Sequence, residues 1–146
     1  MEPGAFLKSL ADEQIVAAIR AAEAVSRGEI RVHVAEREVT DPRTEAALVF
    51  EKLGMADTAE HNGVLLFVAP ASQSITILGD RAAHERCGEA FWTAVVESVR
   101  DEFRAGRYTE GIVAAVRAVG DELARHFPRR PGEKDANELP NAVSRG

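Results

Sequence analysis

Apolar residues recur along the chain with two different spacings, and these spacings predict its helices and strands. Apolar positions three or four apart predict a first amphipathic helix that ends near Gly28: Ile15, Ala18, Ile19, Ala22 and Val25. Ser9 and Asp12 are its two candidate N-caps. Polar and apolar residues alternate over residues 29–36, which predicts a strand with its apolar side chains on one face.

Two consecutive strands are predicted in the middle of the chain. Asp41 as N-cap and Pro42 in the first turn predict a helix that ends near Gly54. The uninterrupted apolar run Gly63–Ala69 is typical of a strand covered on both faces. A strand, a helix and a strand in this order predict a right-handed parallel crossover. The next connection, Pro70–Gln73, is too short for a second crossover, so residues 74–78 are expected to form an antiparallel hairpin with residues 63–69.

Helices dominate the remaining chain. A short helix is predicted from Asp80 to near Gly88, followed by two longer ones whose apolar stripes begin at Trp92 and Tyr108. From Pro128 onward the periodicity stops. We therefore expect one α/β domain over residues 1–128 and an extended tail over residues 129–146, anchored through Leu139 and Val143.

Composition narrows the classes of function. The 146 residues carry a net charge of −6, which disfavours nucleic acid and anionic membranes as partners and suits a cation. A single cysteine, Cys87, excludes an internal disulfide and a cysteine-based zinc cluster. No signal peptide, membrane span or nucleotide-binding loop is recognisable. We expect a monomeric cytoplasmic protein without a nucleotide or organic cofactor.

The predicted strand order brings polar side chains to one edge of the sheet. The starts of the first two strands (Glu29 and Asn62) and the end of the third (Asp80) should meet there, and we call this edge, with the preceding 55–62 connection, the rim. Further oxygen and nitrogen donors are expected nearby: Glu23, Asp57, Thr58, Glu60, His61 and His84. Such a set suits Ca²⁺, which takes about 6–8 oxygen ligands.

Structural roles compete with this interpretation of the rim. Asp80 is also a suitable helix cap, the Asn62-Gly63 pair is also typical of a turn, and Glu29 could pair with an arginine. His33, between two valines of the first strand, is expected to be structural or exposed.

Several spaced motifs resemble the TPM domain family. They include Gly28-Glu-Ile-Arg-Val, Asn62-Gly-Val-Leu-Leu-Phe-Val-Ala and Ile77-Leu-Gly-Asp80, with the later Phe103-x-x-Gly106-x-Tyr108-x-x-Gly111, and the tail is similar to that of short, soluble bacterial members. The resemblance covers about residues 7–127 and implies a three-layer α/β/α sandwich. Its sheet would be small, mixed and mostly parallel, with one antiparallel hairpin. It also implies calcium binding in some members, acid phosphatase activity in a plant relative, and roles in assembling or repairing membrane complexes.

Three hypotheses about function follow. The first is a non-catalytic or weakly catalytic accessory module that binds Ca²⁺, or alternatively Mg²⁺, through Glu29, Asp57, Asn62 and Asp80. Additional candidate ligands are Glu23, Thr58, Glu60 and His84. The second is a metal-dependent acid phosphatase in which Asp80 or Asp57 is the nucleophile or base. The third is a module that binds an unknown protein partner through its helix surfaces or its tail.

Overall fold

The computed structural model describes residues 10–129 and 141–146. In chain order these residues form α1 (Asp12–Val25), β1 (Glu29–Val34), α2 (Pro42–Lys52), a 3₁₀ turn (Met55–Asp57), β2 (Gly63–Ala69), a second 3₁₀ turn (Pro70–Ser72), β3 (Ser74–Gly79), α3 (Arg81–Cys87), α4 (Glu89–Arg104), α5 (Tyr108–His126) and β4 (Ser144–Arg145). None of the helices in this part of the chain is long and apolar enough to cross a membrane.

The four strands form one mixed sheet in the order β3-β2-β1-β4. β1 runs parallel to β2, with Glu29 opposite Gly63. β3 runs antiparallel to β2, with Val64 opposite Gly79, and β4 runs parallel to β1. The parallel crossover and the antiparallel hairpin are therefore confirmed.

Helices cover both faces of this sheet and complete a three-layer α/β/α architecture. All seven residues of β2 are buried, as expected for a strand between two helical layers. On one face, α1, α3, α4 and α5 bury the larger core, which includes Ile30, Val32, Val34, Leu66 and Ile77. On the other face, α2 packs over β2 and β3 and buries a smaller core of Ala35, Ala46, Phe50, Met55, Leu65, Phe67 and Ala69.

Every residue of β1 is buried, including the polar ones. Arg31 is only 6% exposed, and this burial lowers the pKa of its guanidinium while the charge of Glu23 opposes the shift. His33 is 7% exposed. The alternation in the sequence therefore gave the correct strand, but its polar face also lies inside the protein.

The first residues of α1 and α2 show which of the predicted N-caps form. Asp41 caps α2 by accepting a hydrogen bond from the Thr44 backbone N–H at 3.2 Å, and Pro42 occupies the first turn. At α1 the N-cap is Ala11, and Asp12 is the first helical residue and caps nothing. The Asp12 prediction was wrong because its carboxylate forms an ion pair with Arg145 at 2.5 Å. Ser9 and Leu139 lie outside the described residues.

The described end of the tail joins the sheet. Ser144 and Arg145 pair with His33 and Val34 of β1, and Val143 packs against the larger core. The sequence predicts the anchoring by Val143 but not a fourth strand, because two residues are too few to show alternation.

Candidate functional site

The rim forms as the topology requires. Because β1 and β2 are parallel and β3 is antiparallel to β2, their ends at Glu29, Gly63 and Gly79 come together. The backbone N–H of Asp80 donates to the Gly63 carbonyl at 2.8 Å, which ties the exit of β3 to the entry of β2.

Asp80 and His61 form the centre of the rim. The Asp80 Oδ2 atom lies 3.1 Å from His61 Nδ1, and Asp80 Oδ1 accepts a hydrogen bond from the Arg81 backbone N–H at 2.8 Å. The Asp80 side chain is 15% exposed and that of His61 is 35% exposed. Asp80 therefore caps α3, as one interpretation of the sequence predicts, and also holds an imidazole at the surface.

The backbone at His61 is fixed in an unusual conformation. His61 has φ +51°, a left-handed conformation that is uncommon outside glycine, although asparagine, aspartate and histidine adopt it more often than other residues. Its carbonyl accepts hydrogen bonds from the Ala82 and Ala83 N–H groups at 3.1 and 3.3 Å. The first turn of α3 thus offsets the cost of this conformation and keeps the imidazole against Asp80.

Three of the predicted residues are engaged inside the structure. Asn62 is 2% exposed and donates from Nδ2 to the Arg27 carbonyl at 2.9 Å. Glu23 is equally buried and accepts from the Ile30 N–H at 3.0 Å. Glu29 is 5% exposed. The Glu23 contact joins α1 to β1, and the Asn62 contact joins the α1–β1 connection to the residue before β2, so both side chains have a structural role.

Three further predicted residues lie towards solvent. Glu60 is paired with Arg27 at 3.0 Å, and Asp57 is exposed in the first 3₁₀ turn. His84 is exposed on α3, where its Nδ1 accepts from Trp92 Nε1 at 3.1 Å. Of these three side chains, Asp57 is the exposed carboxylate that forms no ion pair with another described residue.

Thr58 differs from the other rim residues. It is 3% exposed, yet its Oγ1 has no hydrogen-bond partner within residues 10–129 and 141–146. Its carbonyl accepts from the His61 N–H at 3.4 Å, so Thr58 and Asp80 both contact His61. A buried hydroxyl without a partner costs about 1–3 kcal/mol, and such a group in a native protein calls for an explanation.

The rim only partly matches the requirements of a cation. Among the described residues, no group of three or more His, Cys, Asp or Glu side chains is arranged to hold a metal ion. The structure brings Asp80 and His61 together, with Thr58 beside them, but does not gather Glu29, Asp57 and Asp80 into one cluster. A cation here would complete its coordination with water.

Comparison with known proteins identifies the family. The TPM domain model matches residues 2–122. The chain belongs to the TPM domain family. The BA42 protein from the psychrophilic bacterium Bizionia argentinensis has a similar NMR structure, with 35% identity, a TM-score of 0.84, and coverage of 94% of this chain and 96% of that one.

More distant solved structures share the fold. The N-terminal domain of a protein from P. gingivalis is 18% identical, with a TM-score of 0.68 and coverage of 81% of this chain and 78% of that one. The N-terminal domain of cg2496 from Corynebacterium glutamicum is 18% identical, with a TM-score of 0.61 and coverage of 80% and 75%. No curated protein matches this TPM domain.

The sequence of this TPM domain predicts that His61 lies near the rim, but its pairing with Asp80 was not predicted. The signal was present, because His61 stands two residues before β2 and Asp80 follows β3 directly. An antiparallel hairpin places these two flanking positions side by side.

Proposed function

We propose that this TPM domain is a non-catalytic or weakly catalytic accessory module that binds a divalent cation, Ca²⁺ or alternatively Mg²⁺, at its rim. The observation that carries the proposal is the buried Thr58 hydroxyl without a partner among the described residues. The backbone carbonyl of Thr58 accepts a hydrogen bond from the backbone N–H of His61, the residue whose imidazole Asp80 holds. A bound cation or its water would satisfy this hydroxyl.

The ligands proposed for the cation are Thr58 Oγ1 and the Asp80 carboxylate, with exposed Asp57 as a third oxygen donor. An ionised carboxylate has about four acceptor positions, so Asp80 can serve the α3 cap, His61 and a cation together. With so few protein ligands, we expect a dissociation constant of about 10⁻⁴–10⁻³ M.

The test is calorimetric titration of chelator-stripped protein with Ca²⁺ and Mg²⁺. Asp80→Asn removes the charge and keeps a capping side chain, Thr58→Val removes only the hydroxyl, and Asp121→Asn on the exposed face of α5 is the matched control. Each rim variant should weaken binding about tenfold, equivalent to about 1.4 kcal/mol, and the control should bind like the wild type.

Thr58→Val also separates a ligand role from a purely structural one. Without metal, replacing an unsatisfied hydroxyl by a methyl group should raise the free energy of unfolding by about 1 kcal/mol. With metal, the variant should lose part of the cation-dependent stabilisation. Absence of heat and of any change in melting temperature up to about 10 mM cation would refute the proposal.

A metal-dependent acid phosphatase is the second candidate, and the family model's own name, TPM_phosphatase, favours it. The acidic rim repels phosphate unless a cation neutralises it, and Asp80 or Asp57 would then act as nucleophile or base. Hydrolysis of p-nitrophenyl phosphate should require the cation and fail in Asp80→Asn or Asp57→Asn. Activity that survives chelation would refute this mechanism.

The accessory role implies a protein partner, for which the helix surfaces and the tail are the candidate contacts. Because β4 pairs with β1, removal of residues 129–146 would also expose a sheet edge. A partner screen should therefore use the full chain with surface substitutions.

A further inference from the structure

β3 is an outer strand of the sheet, which has the order β3-β2-β1-β4. A groove of about 220 Å³ lies beside it, and we call this the β3 groove. Ile75, Thr76 and Ile77 line it on the strand side, and residues of α2 and α4 form the rest of its walls. We propose that two copies of this chain associate through their β3 strands, which run antiparallel about a two-fold axis at Thr76.

The backbone of β3 has unused hydrogen-bonding groups. The Asp80 N–H donates to the Gly63 carbonyl, so these two residues are a hydrogen-bonded pair at the end of the β2–β3 ladder. Such pairs alternate with pairs that are not hydrogen-bonded, so Thr76 bonds to β2, whereas Ile75 and Ile77 direct their N–H and C=O groups away from it. These outward groups have no hydrogen-bond partner in the described part of the chain.

β3 lacks the features that usually keep an edge strand from pairing. Its sequence, Ser-Ile-Thr-Ile-Leu-Gly, contains no charged residue and no proline, and its register with β2 is continuous, without a bulge. The opposite edge, β4, is two residues long and includes Arg145. A monomer is expected from the sequence, but the sequence does not show that β3 lies at an edge. An open strand of this kind can bind a further strand.

The faces of the strand determine the register of the pair. A two-fold axis perpendicular to the sheet keeps the helical layers of both copies on the same sides, so residues opposite each other must share a face. Ile75 and Ile77 share the face of the larger core. Thr76 opposite Thr76 of the second copy, with Ile75 opposite Ile77, meets this condition and makes hydrogen-bonded pairs of the outward backbone groups.

The charges of the β3 groove favour a second copy over a charged peptide. The charged residues that line it are two cations, Arg43 and Arg100, and two carboxylates, Glu89 and Glu97. These charges cancel, although the chain carries −6 overall. Two copies repel each other through their total charge, and contact through balanced surfaces reduces this repulsion. A peptide with a strong charge of either sign would meet like charges in the groove.

The arrangement of charges on α4 also fits a two-fold pair. Trp92, in its first turn, lies at the Gly79 end of β3, since a Cβ atom added at Gly79 would be 3.0 Å from Trp92 Cζ2. Arg100, about 12 Å further along the helix, also lines the β3 groove. The axis makes the two α4 helices antiparallel on one face, so the Arg100 end of each comes towards the Glu89 end of the other. Exposed ion pairs add little affinity, so they select this orientation.

The first experiment is sedimentation equilibrium of the full chain in chelator, from about 10 μM to about 1 mM. We expect a monomer–dimer equilibrium with a dissociation constant of about 10⁻⁴ M, because the contact is small. Thr76 is partly exposed, so Thr76→Lys places two like charges at the axis and should weaken association at least about tenfold. Ser98→Lys, exposed on α4 and outside the β3 groove, is the matched control and should associate like the wild type.

A second set of variants leaves β3 unchanged, so it does not depend on how well Thr76→Lys folds. Arg100→Glu, at an exposed position of α4, should weaken association about threefold because acidic ends then meet. Glu89→Arg added to Arg100→Glu restores opposite charges across the axis and should recover most of the loss. Circular dichroism checks that each variant keeps its helices.

Hydrogen exchange of the backbone amides, measured by NMR, locates the contact. The Thr76 N–H bonds to β2 and should exchange slowly at every protein concentration. The Ile75 and Ile77 N–H groups should exchange faster in dilute protein and become protected as the dimer forms. Protection of these two amides is specific to pairing through β3.

Three outcomes would overturn the proposal. A protein that stays monomeric up to about 1 mM does not associate through β3. A dimer in which the exchange of the Ile75 and Ile77 amides does not change with concentration has its interface elsewhere. A dimer that is as tight in folded Thr76→Lys and in Arg100→Glu as in the wild type does not have its axis at Thr76.

Discussion

The close contact between α1 and α5 allows one prediction to be worked out in detail. A Cβ atom added at Gly120 of α5 would lie 2.5 Å from the Ala22 Cβ of α1 and 3.3 Å from the Ala22 Cα. Carbon atoms attract each other best at about 3.5–4.0 Å, so Gly120→Ala forces the two helices apart by about 1 Å. Both residues are buried, so neither methyl group can turn towards solvent.

The expected effect is opposite to that of helix propensity. In an exposed helix, Gly→Ala stabilises by about 1 kcal/mol. Overpacking a core costs about 1–3 kcal/mol or more, and here the neighbour is a methyl group on a helix that packs against the sheet. We therefore expect Gly120→Ala to lower the free energy of unfolding by about 1–3 kcal/mol, measured by urea denaturation at an unchanged m-value.

A double-mutant cycle tests the cause. Ala22→Gly removes the opposing methyl group, and Ala21→Gly, at the exposed neighbouring position of α1, measures the propensity cost of that change alone. In the double variant Ala22→Gly/Gly120→Ala the single methyl group at this contact has moved from α1 to α5, so the two changes should be less destabilising than their sum by about 1–2 kcal/mol. Simple additivity, or a Gly120→Ala variant as stable as the wild type, would refute the steric explanation.

Two further predictions concern titratable groups. Burial, and then the charge of Arg31, lower the pKa of His33 from its ordinary value of 6.5, so the unfolded state binds this proton more tightly than the folded state. The free energy of unfolding should therefore fall as the pH falls below about 6.5. Between about pH 7.5 and 5, the melting temperature should fall less in His33→Gln than in the wild type. An equal loss in both proteins would exclude His33 as its source. Burial, and then the charge of Glu122, raise the pKa of the Cys87 thiol to about 11. Alkylation of this thiol by iodoacetamide at about pH 8, followed by mass spectrometry, should therefore be much slower in the folded protein than in urea. Equally fast labelling in both states would contradict a protonated thiol.

The family, the strand pairing and the larger core could be predicted from local patterns. The apolar run of β2 reports burial on both faces, and the four-residue connection after it allows only a hairpin. The Asp41-Pro42 pair determines where α2 begins. Each of these signals depends on residues close in sequence, so it can be recognised without knowing the tertiary structure.

The sequence predicts where the rim lies but not which contacts its side chains make. Strand directions decide that the starts of β1 and β2 meet the end of β3, and the structure confirms this meeting. Whether Asn62, Glu23 and Asp57 are buried, hydrogen-bonded or exposed depends on side-chain packing between α1, β1 and the 55–62 connection. Periodicity contains no information about such contacts.

Tertiary structure alone decided which polar groups have partners. His33 and Ser144 are 111 positions apart, and β4 is too short to be recognised before it pairs with β1. The local pattern of a chain indicates which apolar faces become buried, because burial removes apolar area from water, but it does not show that the polar face of β1 is buried too. Which polar atoms meet across the fold depends on the relative placement of distant segments, and that placement is set by the packing of the whole domain.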